Sequence, residues 1–155
     1  MKMPPFKLYS PSSVDEAIQI AKDLQSKQED FDWISGGTDL IPNYKWHLNP
    51  KKNVISLGNI SQLTELTQTT IGGMVRLQDL AESEFTHPVL AKSANSIASI
   101  MIRRSGTWGE IFVLIRDVIG ITKQRIGEKL SIGAINVIVA QELIVESFRI
   151  KIHYV

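Results

Sequence analysis

Phe31-Asp32-Trp33-Ile34-Ser35-Gly36-Gly37-Thr38-Asp39-Leu40 decides how this chain is read. Phe31, Trp33 and Ile34 favour a strand, which runs through Ser35 into two adjacent glycines, the pattern of a strand that ends in a tight turn. Without Cβ atoms, successive N–H groups can converge on an oxyanion, and Thr38 adds a hydroxyl donor. Asp39 would repel a phosphate if it pointed inward, so it is expected to cap the following turn or hold the loop. The motif is neither a GxGxxG dinucleotide fingerprint nor a P-loop. Taken alone it is equally a plain Gly-Gly turn between a strand and a helix, and that alternative stays open at this point.

Working outward, the flanking sequence reads as alternating strands and helices. A short strand at Phe6 to Tyr9 is broken by Ser10-Pro11-Ser12-Ser13. Ser13 and Glu16 have capping-box spacing. Val14, Ala17, Ile18, Ile20, Ala21 and Leu24 follow at helical spacing. Further strands are expected at Asn53 to Leu57 and Thr69 to Gly73, and short helical runs at Ser61 to Leu66 and Arg76 to Glu82. Pro88 suits the first turn of a longer helix reaching roughly Met101. The layering is α/β or α+β with mixed strands.

A second glycine-rich element, Ile102-Arg103-Arg104-Ser105-Gly106-Thr107-Trp108-Gly109, follows that helix. Between the two glycine loops lies Ile71-Gly72-Gly73-Met74-Val75-Arg76-Leu77-Gln78-Asp79-Leu80. In order, the blocks from Phe6 to Gly109 resemble the FAD-binding subunit of molybdenum hydroxylases of the xanthine dehydrogenase family. That family shows Phe-x-x-Tyr-x-Pro-x-Ser-x-x-Glu-Ala, then Gly-Gly-Thr-Asp-Leu and Ile-Gly-Ala-x-x-x-Leu-x-Asp-Leu. A Pro-x-Leu helix and Ile-Arg-Asn-x-Gly-Thr-x-Gly-Gly-Asn complete it.

The resemblance implies the amino-terminal part of a p-cresol methylhydroxylase-type FAD-binding domain over residues 1–109. It places Ser35, Gly36, Gly37, Thr38, Asp39 and Leu40 at the FAD pyrophosphate. Arg103, Ser105, Gly106, Thr107 and Gly109 fall near the flavin side, with Arg103 adding a charge-assisted bond. No residue of the chain is expected to be catalytic. The implied partners are a molybdenum-cofactor subunit, a [2Fe-2S] subunit and a soluble electron donor or acceptor. A non-enzymatic interaction module, using its glycine loops only as turns, is the alternative.

Composition agrees with a cytoplasmic protein. Across 155 residues, 17 basic and 16 acidic side chains leave a net charge of +1, which gives no footprint for nucleic acid or an anionic membrane. The absence of cysteine removes disulfides, thiolate nucleophiles and Cys-ligated metal from this chain. His47, His87 and His153 lack ligand spacing, so no metal site is expected. No secretory h-region opens the sequence, and no apolar run reaches the roughly eighteen residues of a membrane span.

Departures from the family pattern are mild at Gly73 and Arg104 and abrupt at Glu110, where the family continues Gly-Asn. All six prolines and all three tryptophans lie at or before Trp108, whereas 17 of the 46 residues from Glu110 onward are Ile or Val. Codons compatible with the tail, shifted by one base with a G restored, can encode Gly-Asn-Ile-Cys and later Trp-Arg-Lys and further cysteines. Those features resemble the extra-cluster segment of the members that reduce 4-hydroxybenzoyl-CoA. Residues 110–155 are accordingly read as a frameshift product, prone to aggregate around Ile135 to Leu143 and Leu143 to Ile152. The rival reading is a divergent genuine tail packed as strands or a helix.

Overall fold

A computed structural model describes residues 2–111 and the backbone of 149–151. Its elements are β1 (Lys7–Tyr9), α1 (Val14–Ser26), β2 (Phe31–Ile34), α2 (Leu40–Lys45) and β3 (Asn53–Ser56). A 3₁₀ turn at Ser61–Thr64 leads to β4 (Thr70–Gly72), α3 (Leu77–Glu82), α4 (Pro88–Ser96) and α5 (Ile100–Arg103), and β5 is Arg149–Lys151. Two sheets result: a parallel one in the order β1-β3-β2, and an antiparallel pair β4-β5. Expectations for 112–148 and 152–155, including the aggregation-prone stretches, lie outside the described residues. No helix among the described residues is long and apolar enough to cross a membrane.

The parallel sheet is built around β3. Lys7 and Phe31 both register on Asn53, and the ladder runs on to Ile34 opposite Ser56. Val54 and Ile55 are fully buried although they point to opposite faces, as a strand covered on both sides requires. Asn53 is buried as well, and its amide donates to the Glu29 carboxylate and the Asp30 carbonyl. Its polarity is thereby satisfied while the turn after α1 is tied to the start of β3.

Helix α1 begins as its sequence dictates. Ser13 adopts an extended conformation and its hydroxyl accepts the Glu16 N–H at 3.2 Å. Glu16 reaches back one residue further than in the standard capping box, accepting from the Ser12 N–H and hydroxyl at 2.7 and 2.9 Å. Those bonds hold its carboxyl below the usual range. Ala17, Ala21 and Leu24 form the buried stripe. They join two apolar clusters, one with Leu57, Ile60 and Leu63, the other with Ile55. A third cluster (Ile71, Val75, Leu77, Leu80, Ala94 and Trp108) packs α3 and α4 beneath the second glycine loop.

The structure departs from the sequence reading in two helices. The helix starting at Pro88 does not run to Met101. It stops at Ser96, Ile97 turns extended, Ala98 takes a φ of 48°, and α5 starts anew. The break is stabilised by Arg103, whose Nη1 donates to the carbonyls of Asn95, Ile97 and Ala98. Free carbonyls at a helix end need such partners. The second is α2: the sequence offers a helix after the Gly-Gly turn without bounds, and the structure gives it as Leu40–Lys45, with Pro42 inside. That proline lies within the first turn, where a missing N–H costs nothing.

Tyr44 anchors α2. Its side chain is 1 % exposed, its hydroxyl donates to Asp32 at 2.8 Å and accepts the Lys51 N–H at 3.0 Å, and Phe6 packs edge-on against its ring. Burial, reinforced by the bond to Asp32, raises the phenol from its ordinary 10.0 to about 12. The folded state therefore holds this proton more tightly than the unfolded chain. Its contribution is complete below pH 10 and disappears as pH rises through about 12. In urea titrations, Tyr44→Phe is expected to cost about 1–3 kcal/mol at neutral pH, since Asp32 and the Lys51 N–H lose a partner. The same variant should flatten the alkaline loss of stability between pH 10 and 12.

Candidate functional site

Loop 1, residues 35–39, links β2 to α2. Gly37 is buried with φ +72°, and a Cβ there would lie 3.1 Å from both Ile34 and Ile41, so conformation and space both demand glycine. Its carbonyl accepts the Ile41 N–H, and the Asp39 carbonyl accepts that of Asn43. The Asp39 side chain makes no capping bond to backbone; it accepts from the Asn43 amide at 2.9 Å, bracing the first turn of α2 instead. Ser35 directly follows β2 and Leu40 opens α2, both half-buried.

Loop 2, residues 104–109, is laid onto the segment 73–77 by backbone bonds. The Leu77 N–H donates to Gly106 O, Trp108 N–H to Val75 O and Gly109 N–H to Gly73 O, with a bridge between Arg76 and Thr107. A side chain at Gly109 would meet Gly73 O at 2.9 Å. The intermediate Ile71–Leu80 block is therefore the seat of loop 2.

The two loops touch. A Cβ on Gly36 would stand 1.9 Å from Ser105 O and 2.8 Å from Glu110 Oε2, far inside any allowed contact. Glu110 closes the junction. Its Oε1 accepts the Thr38 N–H at 3.0 Å, and its Oε2 accepts the Thr38 hydroxyl at 3.2 Å and the Thr107 N–H at 3.0 Å. Three neutral donors from both loops thus converge on one oxyanion. Thr107 Oγ1 is buried with no hydrogen-bond partner among the described residues, an orphan that costs about 1–3 kcal/mol until something meets it.

Ten of the eleven residues singled out in the sequence belong to these loops or their edges; Arg103 sits apart in its bonding. Its Nε donates to Gln78 Oε1 at 2.9 Å, and Nη1 serves the three carbonyls at the α4–α5 break. Glu110 is the residue that sequence reasoning did not place in the site. Its signal was a carboxylate standing where the family pattern has glycine.

Donor chemistry and close backbone approach suit a phosphate-bearing ligand, and comparison with known proteins gives that ligand a family. Residues 4–112 match the FAD binding domain in molybdopterin dehydrogenase. The chain belongs to this family. It is 34 % identical over 116 residues to the nicotine 6-hydroxylase medium subunit of Paenarthrobacter nicotinovorans, covering 70 % of this chain and 40 % of that one. Against the carbon monoxide dehydrogenase medium chain of Hydrogenophaga pseudoflava it is 30 % identical over 113 residues, covering 68 % and 38 %. The structure of quinoline 2-oxidoreductase from Pseudomonas putida 86 superposes with a TM-score of 0.67 at 28 % identity, over 72 % of this chain and 40 % of that chain. The chain thus spans about two fifths of the length of these relatives. FAD is the cofactor of the family, and its members here are medium subunits of oxidoreductases.

Gly36→Ala tests the contact between the loops. The Ser105 carbonyl would have to retreat by more than an ångström, so we expect a loss of about 1–3 kcal/mol in denaturant unfolding. Amide shifts at Thr38 and Thr107 should move with it, reporting release of the Glu110 carboxylate.

Proposed function

We propose that this chain is built to hold FAD as the electron-transfer subunit of a molybdenum-containing hydroxylase or dehydrogenase. The supporting observation is the convergence of Thr38 N–H, Thr38 hydroxyl and Thr107 N–H on a single anionic group at the meeting point of both glycine loops. Ser35, Gly36, Gly37, Thr38, Asp39 and Leu40 form the pyrophosphate loop, and Ser105, Gly106, Thr107 and Gly109 the loop nearer the flavin. Gly36 permits the close approach, Gly37 the turn, and Asp39 and Arg103 hold the loops in shape from behind. Bound flavin supplies the redox chemistry; the protein supplies orientation and donors. In the assembly we propose, electrons pass between [2Fe-2S] clusters on one partner subunit and a soluble donor or acceptor, with a molybdenum-cofactor subunit acting on substrate. A cytoplasmic setting fits that assembly.

Residues 110–155 are, on this reading, the product of a single lost base after Gly109, and the chain is inactive alone. Two features support it: the family match ends at residue 112, and codons compatible with the residues at the break can encode Gly-Asn after a one-base shift. A missing base on resequencing the DNA across the codons for Gly106 to Phe112, followed by an open family-like frame, is the expected result. An intact frame would make the tail genuine. The reading as a non-enzymatic module draws on one observation, that Glu110 already fills the donor cluster.

Thr107→Val separates the flavoprotein from that module. It replaces the partnerless hydroxyl with a methyl group of similar size, so unfolding stability should hold or rise. FAD affinity, read by quenching of flavin fluorescence, should drop roughly ten-fold if the hydroxyl serves the cofactor. Equal FAD affinity in both proteins, or no flavin binding by either at millimolar concentration, would count against the proposal.

A further inference from the structure

We infer that Glu110 is an internal competitor of the ligand: its carboxylate occupies the oxyanion cradle between the two glycine loops and must leave before a phosphate group can enter. The inference rests on reading that cradle as the phosphate site of a dinucleotide.

Every bond of the Glu110 carboxylate described above comes from a neutral donor: two backbone N–H groups and one hydroxyl. The single ion pair among the described residues, Lys51 with Asp30, lies elsewhere. A carboxylate held by converging dipoles without a cation is bonded as a phosphate is in a backbone nest. Carboxylate and phosphate oxygens ask the same geometry of the same donors, and two anions cannot share them. Space is equally exclusive. Glu110 Oε2 lies 2.8 Å from where a Cβ on Gly36 would be, so the carboxylate covers the surface that this glycine leaves open.

Thr38 and Thr107 lie on loops separated by most of the described chain, and Glu110 joins them into one unit. The carboxylate therefore has two effects of opposite sign. It fastens the loops in the free protein, and it lowers the fraction of molecules with an open cradle, which weakens apparent affinity in proportion. Removing it should loosen the free protein and strengthen ligand binding together. A residue with only a structural role would weaken both.

The test uses the 155-residue chain and its Glu110→Gly, Glu110→Gln and Glu110→Asp variants, titrated calorimetrically with inorganic pyrophosphate and separately with FAD. Thermal unfolding is recorded without ligand. Glu110→Gly and Glu110→Gln should bind both ligands about ten-fold tighter than the parent while melting at a lower temperature. Glu110→Asp, one methylene short of the donors, should show the same trend. Tighter pyrophosphate binding with no FAD binding in any chain would uphold the competitor and remove the flavin reading. FAD bound equally well by all four chains would do the reverse. No gain for either ligand in any variant would overturn the inference. Should the glycine variant not fold, amide spectra of the parent chain decide: pyrophosphate at saturation must shift Thr38 and Thr107, and bound pyrophosphate that leaves both unmoved refutes displacement.

Discussion

Gly36 and the carbonyl of Ser105 approach so closely that no residue with a side chain fits between them. This contact is the constraint on which the remaining architecture depends, because it requires two segments distant in sequence to be delivered to one point with sub-ångström tolerance. Only backbone can pack that tightly, and only rigid supports on both sides can keep it there. Where the loops meet, their N–H groups face a common centre, and a common centre of donors attracts an anion. The chemistry of the site follows from the packing of two turns.

Each support is built differently. Loop 1 hangs between β2 and α2, and both are fixed by the parallel sheet: β2 by its ladder to β3, α2 by Tyr44 reaching Asp32 and the Lys51 N–H. Loop 2 has no sheet of its own. It is bonded through its backbone to residues 73–77 and rests on the Leu77, Leu80 and Trp108 cluster. Arg103 completes that support by satisfying the carbonyls exposed where α4 gives way to α5. The side chain that the family resemblance places near the flavin thus also stabilises the break between two helices.

Most of the first layer was legible from the residues. Ser13 and Glu16 announce the start of α1, the Ala17, Ala21 and Leu24 stripe gives its buried face, and aromatic or β-branched residues mark β2, β3 and β4. These are short-range effects, in which capping groups and periodicity act within one or two turns. The end of α4 was not legible. Nothing between Ser96 and Ile100 forbids helix, and the chain breaks there because Arg103, several residues later, collects the carbonyls. The bounds of α2 were not legible either, because they place Pro42 in the first turn, a position within the helix that sequence alone does not fix.

By itself the sequence determined the alternation of strands and helices, the two glycine loops and, through the order of its blocks, the family. Those properties reside in local conformational preference and in motif order, both carried along the chain. Tertiary structure decided that the loops meet at Gly36 and Ser105, that Arg103 faces a helix end, and that the Glu110 carboxylate lies among the donors of Thr38 and Thr107. Such contacts depend on the direction in which supporting elements aim a side chain across 72 residues of separation. Direction is set by packing, which no local pattern encodes.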